Sequence, residues 1–111
     1  MNFNEAVDDS TKTLVVFSTV PSRAVGQKLA RSLVEKHLAA CVNVIPGILS
    51  IYRWQGQIEE SAEELLVIKT TSLLYTKLEA FLLQEHPYET PEILALAADR
   101  VSPSYLAWLL S

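Results

Sequence analysis

Apolar residues in the first half of the chain alternate between the period of a strand and the period of a helix. Residues 13–19 are β-branched and aromatic, which predicts a buried strand. Residues 23–38 carry apolar side chains three or four positions apart, with basic side chains between them. This pattern predicts an amphipathic helix with Ser22 as its N-cap. Residues 40–54 again resemble a strand, and Pro46-Gly47 within them predicts a bulge or kink.

The second half of the chain repeats this alternation. Residues 55–57 (QGQ) predict a tight turn, and residues 58–70 predict a returning strand with an acidic run at its start. Residues 73–85 have helical spacing, residues 92–98 predict a last strand, and Ser102-Pro103 begins a short closing helix. The order β-α-β-β-α-β with a C-terminal helix predicts an α+β, ferredoxin-like sandwich. We expect one domain over residues 12–111 after a flexible tail of residues 1–11.

The central hairpin is too long for the rest of the domain. Residues 40–54 would extend to roughly 50 Å, whereas a domain of this size has a radius of gyration of about 13 Å. The hairpin must therefore overhang the core and expose apolar side chains. A closed ring of identical chains would cover such an edge and prevent aggregation. We expect an obligate homo-oligomer whose interface includes Ile48, Ile51, Tyr52 and Trp54.

Composition and charge restrict the classes of partner. The 111 residues include 13 acidic and 9 basic side chains, giving a net charge of −4. This balance disfavours nucleic acids and anionic membranes as partners. Cys41 is the only cysteine, which excludes an intrachain disulfide and fits a reducing compartment. With neither a signal peptide nor a membrane span in the sequence, we expect a cytoplasmic protein that binds neither nucleic acid nor membranes.

The segment at residues 86–92 (HPYETPE) is the first candidate for a binding site. Its two prolines favour an extended, rigid backbone around an imidazole, a phenol and carboxylates. Imidazole and carboxylate groups bind Zn²⁺ and Cu²⁺, so Glu85, His86 and Glu89 are candidate metal ligands. The alternative is that the segment only joins a helix to a strand. In that case His86 caps the carbonyl groups at the end of the helix.

Four motifs in register resemble the CutA family of divalent-cation tolerance proteins. They are LAACVNVIPG at 38–47, SIYRWQG at 50–56, IKTT at 68–71 and HPYETPE at 86–92, followed by YLAWL at 105–109. The resemblance extends from Leu14 to Leu109. It implies a ferredoxin-like homotrimer with a role in tolerance of copper and other divalent cations. It also implies an architecture similar to that of the PII signalling proteins, which bind small effectors in clefts between subunits.

The chain departs from some members of the family where those members bind copper. They have a cysteine at the end of the first strand and two adjacent histidines before the Pro-Tyr pair. Ser18 and Glu85 stand at these places in this chain, so only His86 remains from that set. A hydroxyl is a poor ligand for soft Cu(I). We therefore expect weak binding of Cu²⁺ or another divalent cation and no required cofactor.

The PII-like alternative predicts a cleft that binds a small metabolite. Its candidate lining residues are Cys41, Trp54, Lys69, His86, Tyr88 and Glu89. Lys69 could pair with Glu89 or Glu92, which would give the cleft a cation able to hold an anion. The simpler interpretations are a buried small residue for Cys41 and subunit packing for Trp54.

The remaining patterns point away from other functions. The acidic run of Glu59, Glu60, Glu63 and Glu64 is typical of a solvated face or a blocked strand edge. No nucleophile–base motif is present, so we do not expect an enzyme. An RNA-recognition module shares the element order, but the first and third strands offer only Phe17 for base stacking. Two hypotheses remain: a homotrimeric cation-binding protein in metal tolerance and a PII-like small-molecule sensor.

Overall fold

The computed structural model describes residues 12–111, and the tail predicted for residues 1–11 lies outside this range. The elements follow in the order β1 (Thr13–Val20), α1 (Arg23–Glu35), β2 (Cys41–Trp54), β3 (Gln57–Thr71), α2 (Tyr75–Glu85), β4 (Leu94–Ala97) and α3 (Pro103–Leu110). The strands form one antiparallel sheet in the order β2-β3-β1-β4. The predicted ferredoxin-like α+β fold is confirmed.

Helix α1 begins as predicted but ends early. The Ser22 hydroxyl accepts a hydrogen bond from the Val25 amide at 3.2 Å, which confirms the N-cap. The helix ends at Glu35 rather than residue 38, because His37 adopts a positive φ of 59°. The amide groups of the next two residues then turn back to the Leu33 carbonyl. A left-handed residue of this kind closes a helix whatever the apolar pattern beyond it.

The remaining element ends differ from the prediction by small amounts. Helix α2 begins at Tyr75 instead of residue 73, and β4 covers residues 94–97 instead of 92–98. Helix α3 begins at Pro103 as predicted, but the Ser102 side chain makes no capping hydrogen bond. None of the helices in residues 12–111 is both long and apolar enough to cross a membrane.

The core lies between one face of the sheet and helices α1 and α2. Its buried side chains are Val16, Val20, Leu29, Leu33, Ala39, Leu66, Ile68, Leu78 and Leu82. Gly26 lets α1 approach β1 closely, since a Cβ at this position would lie 3.1 Å from the Val20 side chain. The strand residues of this core alternate along β1 and β3, as expected for a sheet covered by helices on one face.

The long hairpin of β2 and β3 contains the predicted bulge. The two strands pair from Cys41 opposite Lys69 to Trp54 opposite Gln57, with a shift in register between Ile45 and Ile48. Gly47 adopts a φ of 75° within the shift. One extra residue on β2 is thus accommodated at Pro46-Gly47, as the sequence predicts.

The far half of this hairpin, residues 48–63, extends past the rest of the sheet, and we call it the overhanging hairpin. Strand β1 pairs with β3 only as far as Val20 opposite Glu64. The molecule measures 54 × 28 × 25 Å, with a radius of gyration of 15.5 Å. That radius exceeds the value of about 13 Å for a compact domain of this length. The predicted overhang is confirmed.

The sheet also has an outer face, on the side opposite α1 and α2. Residues directly opposite one another in an antiparallel sheet point to the same face. Register therefore places Val15, Phe17, Leu65, Val67, Leu94 and Leu96 on the outer face. The first four are half-buried, while Leu94 and Leu96 are exposed. The two faces of one sheet thus differ in how completely this chain covers them.

Candidate functional site

A cavity of 790 Å³ lies where the overhanging hairpin meets the segment that follows α2, and we call it the hairpin cavity. Its volume is within the range of small-molecule sites in proteins. Aromatic walls come from Tyr52, Trp54 and Tyr88. The other lining residues are mostly acidic or carry hydroxyl groups: Glu63, Glu89, Glu92, Thr19, Ser50, Ser61 and Thr90, together with Ile51 and Pro87.

His86 anchors the segment behind this cavity. It is the C-cap of α2, with extended backbone angles, and its side chain is only 7% exposed. The Tyr88 amide donates to Nδ1 at 3.1 Å, and Nε2 lies 2.9 Å from the Thr19 carbonyl oxygen. Because an amide N–H can only donate and a carbonyl can only accept, Nδ1 carries no proton and Nε2 carries one. Both ring nitrogens are therefore engaged within the chain.

Tyr88 connects the same segment to the hairpin. Its hydroxyl donates to Glu63 Oε2 at 2.6 Å, and its ring lies 4.8 Å from the His86 ring. Burial, followed by the hydrogen bond to the Glu63 carboxylate, raises the pKa of Tyr88 above its usual value. The Ser61 hydroxyl lies 3.2 Å from the Tyr52 hydroxyl across the hairpin. Hydrogen bonds thus hold both sides of the hairpin cavity in place.

The prediction of a solvated face for the acidic run is wrong for two of its four residues. Glu59 and Glu60 are exposed, but Glu63 is buried at 8% exposure. Glu64 forms an ion pair with Arg23 of α1 at 3.0 Å. The partners of these two carboxylates lie 25 and 41 residues away in sequence, at Tyr88 and Arg23. A run of charges gives no local signal that would separate such residues from solvated ones.

Lys69 and Cys41 lie at the other end of the sheet. The Lys69 ammonium group donates to Asn43 Oδ1, and Cys41 is the residue opposite Lys69 on β2. The pairing of Lys69 with Glu89 or Glu92 that the sequence suggested is wrong. Lys69 is six residues along β3 from Glu63, a separation of about 20 Å in an extended strand.

The structure therefore divides the predicted cleft residues into three groups. Trp54, Tyr88 and Glu89 line the hairpin cavity. His86 lies behind Tyr88 and is not part of the wall, while Cys41 and Lys69 lie elsewhere on the sheet. Sequence reasoning missed the cavity residues Ser50, Ser61 and Glu63. These residues lie on the long hairpin, where no local sequence signal distinguishes a cavity residue from an exposed one.

The candidate metal ligands do not form a compact set. Within residues 12–111, no group of three or more His, Cys, Asp or Glu side chains is arranged to hold a metal ion. Glu85 and Glu89 are exposed on either side of the buried His86. The Ser18 hydroxyl is buried and has no hydrogen-bond partner within residues 12–111. Of the four residues predicted for the oligomer interface, Ile51, Tyr52 and Trp54 are exposed, whereas Ile48 is half-buried.

Comparison with known proteins gives consistent matches across nearly the whole chain. Residues 14–111 match the profile of the family described as CutA1 divalent ion tolerance protein. The Divalent-cation tolerance protein CutA of Thermus thermophilus is 50% identical over 95 residues, which are 86% of this chain and 92% of that protein. The chloroplastic protein CutA of Arabidopsis thaliana is 45% identical over 106 residues, or 93% of this chain but only 58% of that longer protein.

The fold agrees with solved structures as well. The crystal structure of CutA1 from Oryza sativa superimposes with a TM-score of 0.88 at 41% sequence identity, covering 92% of this chain and 94% of that chain. The chain thus spans slightly more than half of the Arabidopsis relative and nearly all of the bacterial one. A profile match over almost the full sequence, together with this structural agreement, places the chain in the CutA1 family of divalent ion tolerance proteins.

Proposed function

We propose that this chain acts as a homotrimer in the tolerance of divalent cations, without catalytic activity and in the cytoplasm. The observation that carries the proposal is the exposure of large apolar side chains on the overhanging hairpin. Leu49, Ile51 and Ile58 are each more than 60% exposed, and Trp54 is half exposed. Burying apolar surface stabilises a complex by about 25 cal/mol per Å², so this hairpin favours association.

A ring of three chains would cover both incomplete surfaces of the subunit. Each overhanging hairpin would reach past its own sheet and pack against the neighbour. The outer face, with Leu94 and Leu96 exposed, offers an apolar surface on the same subunit. The number three follows from the resemblance to CutA proteins, and ring closure explains why association would stop there.

Light scattering on purified protein tests the assembly. The expected mass is three times that of the 12.4 kDa chain. The mass should stay constant over a wide range of protein concentration if the trimer is obligate. A stable species with the mass of one chain would contradict the proposal.

For metal binding, we propose a weak site that uses His86 with Glu85 and Glu89. Its weakness has a structural reason, because a metal ion at either ring nitrogen must replace the bond to Thr19 or to Tyr88. The exposed carboxylates would supply oxygen ligands that suit Zn²⁺ and Cu²⁺ less well than thiolate or imidazole. No soft ligand remains in this set, which disfavours a dedicated Cu(I) site.

Calorimetric titration with Cu²⁺ and Zn²⁺ tests this site in four proteins: wild type, His86→Ala, Glu89→Gln and His37→Asn. We expect weaker binding in the first two variants. The His37→Asn control removes the exposed histidine at the end of α1, where asparagine tolerates the positive φ. If His86→Ala and Glu89→Gln both bind as well as wild type, these residues are not ligands.

The hairpin cavity favours a second candidate function, the PII-like binding of a small molecule. In a trimer, the cavity would lie beside the surface where each hairpin meets its neighbour, since Tyr52 and Trp54 belong to both. A thermal-shift screen with nucleotides, organic acids and amines tests this function. A complete lack of stabilisation across all three classes would contradict it.

A further inference from the structure

The hairpin cavity has an unbalanced set of charges. Glu63, Glu89 and Glu92 line it, and no Lys, Arg or His is among the described residues of its wall. A concave surface lined by one sign of charge concentrates ions of the opposite sign. Nucleotides and organic acids, which are anions, therefore match this cavity poorly, whereas cations match it well.

Glu63 is the most informative of these carboxylates because it is nine-tenths buried. None of the ion pairs found within residues 12–111 includes it. Its described hydrogen bond comes from the neutral hydroxyl of Tyr88, at Oε2. A buried carboxylate is costly unless it is paired with a positive charge. Residues 12–111 therefore leave the counter-charge of Glu63 to be supplied by another group.

The aromatic side chains of the cavity wall favour organic cations over metal ions. Tyr52, Trp54 and Tyr88 offer ring surfaces, which attract ammonium groups and pack against alkyl chains. A divalent metal ion needs several oxygen, nitrogen or sulfur ligands at once. The described residues contain no such group of three His, Cys, Asp or Glu side chains, here or elsewhere.

We infer that the hairpin cavity binds a small organic ammonium ion, with Glu63 as its counter-charge and the aromatic rings against its alkyl part. The inference rests on the second proposed function, small-molecule binding at this cavity, and names the class of ligand. Ser50, Ser61 and Thr90 provide hydroxyl groups in the same wall that can accept the remaining N–H bonds.

Calorimetry on the assembled protein at constant ionic strength tests the charge preference with four probes of similar size. Butylamine and 1,4-diaminobutane are cations at pH 7, butanoate is an anion, and butanol is neutral. We expect saturable heat from the two amines and none from butanoate or butanol. The diamine should bind more tightly, since a second ammonium group can approach Glu89 or Glu92.

Three variants, each a change of Glu to Gln, locate the binding. Glu63→Gln removes the buried charge but keeps an oxygen that can accept the Tyr88 bond, and it should raise the Kd for the amines by about tenfold or more. Glu60→Gln removes the same charge from an exposed position on the same strand, outside the cavity wall, and should leave the Kd unchanged. Glu92→Gln, exposed on the cavity wall, gives a second test if Glu63→Gln fails to assemble.

Each outcome has one meaning. If butanoate or butanol binds as well as the amines, the charge inference is wrong while small-molecule binding stands. If Glu63→Gln and Glu92→Gln both bind amines as wild type does, these carboxylates do not hold the amines and the inference is wrong. If Zn²⁺ binding depends on Glu63 and the amines give no heat, the cavity is a metal site and the inference is wrong. If the amines, nucleotides and organic acids give neither heat of binding nor thermal stabilisation, both the inference and the second proposed function are wrong.

Discussion

The two halves of the β2–β3 hairpin have similar apolar content but very different surroundings. In the near half, Leu66 and Ile68 are completely buried beneath α1 and α2. In the overhanging half, Leu49 and Ile51 remain more than 60% exposed. Hydrophobicity alone therefore does not determine burial in this chain. The near half is covered by the chain's own helices, while residues 12–111 leave the apolar side chains of the far half uncovered.

The largest expected effect belongs to the near half. Leu66→Ala would leave a cavity in the core and should lower the free energy of unfolding by about 2–5 kcal/mol. Urea unfolding followed by circular dichroism measures the loss. Leu83→Ala, at an exposed position on α2, is the control and should change the free energy of unfolding by less than about 0.5 kcal/mol. Equal losses in the two variants would contradict the division between covered and uncovered positions.

Substitution in the overhanging half should affect assembly more than subunit folding. Ile51→Ser removes an apolar side chain from the proposed interface and should weaken association by about 1.5–3 kcal/mol per chain. Light scattering across a dilution series would then detect dissociation at concentrations where the wild-type protein stays assembled. Leu83→Ser makes the same kind of change outside the proposed interface. If both variants remain assembled on dilution, Ile51 is not an interface residue.

His86 holds the segment that carries Tyr88 against β1. His86→Ala removes two hydrogen bonds of a buried ring and should lower the free energy of unfolding by about 1–3 kcal/mol. Urea unfolding measures this loss beside the control His37→Asn, which should unfold as wild type does. Unchanged stability in His86→Ala would mean that the ring does not hold the segment to β1.

The smallest expected effect is a dependence on alkaline pH. The pKa of Tyr88 is raised in the folded chain, so its contribution to stability is complete below about pH 10 and decreases as the unfolded state ionises above that pH. The free energy of unfolding should therefore fall less steeply with rising pH in Tyr88→Phe than in wild type. Urea titrations at several alkaline pH values measure the slopes. Tyr105→Phe is the matched control, and an equal change in both variants would contradict the assignment to Tyr88.

The sequence predicted the fold well because its elements are strongly periodic and marked by turn residues. Pro46-Gly47 located the bulge, and Ser22 located the start of α1. The end of α1 was missed because the helical pattern continues to residue 38, whereas the left-handed conformation of His37 depends on the chain that follows. Such conformations depend on tertiary structure and leave little trace in a hydrophobic pattern.

The site was predicted less completely than the fold. The two prolines identified the segment that carries Tyr88 and Glu89, because their effect on the backbone is local. Glu63 was not identified, since a buried glutamate and a solvated glutamate look the same within an acidic run. Lys69 was paired with the wrong residue for a similar reason. The alternation of residues along a strand assigns the Lys69 side chain to one face of the sheet. Its partner on that face depends on the register between β2 and β3, which places Asn43 beside it.

The extra residue at Pro46-Gly47 has a consequence for the chemistry of the cavity, since it reverses the parity of β2. Odd-numbered residues up to Ile45 share a face with Leu65, and even-numbered residues from Ile48 onward share a face with Glu63. If the same residues were paired regularly, without the bulge, Leu49, Ile51 and Arg53 would occupy the face that now carries Ser50, Tyr52 and Trp54. The bulge therefore places hydroxyl and aromatic groups on the face of Glu63, where a regular strand of this sequence would place aliphatic chains and a guanidinium.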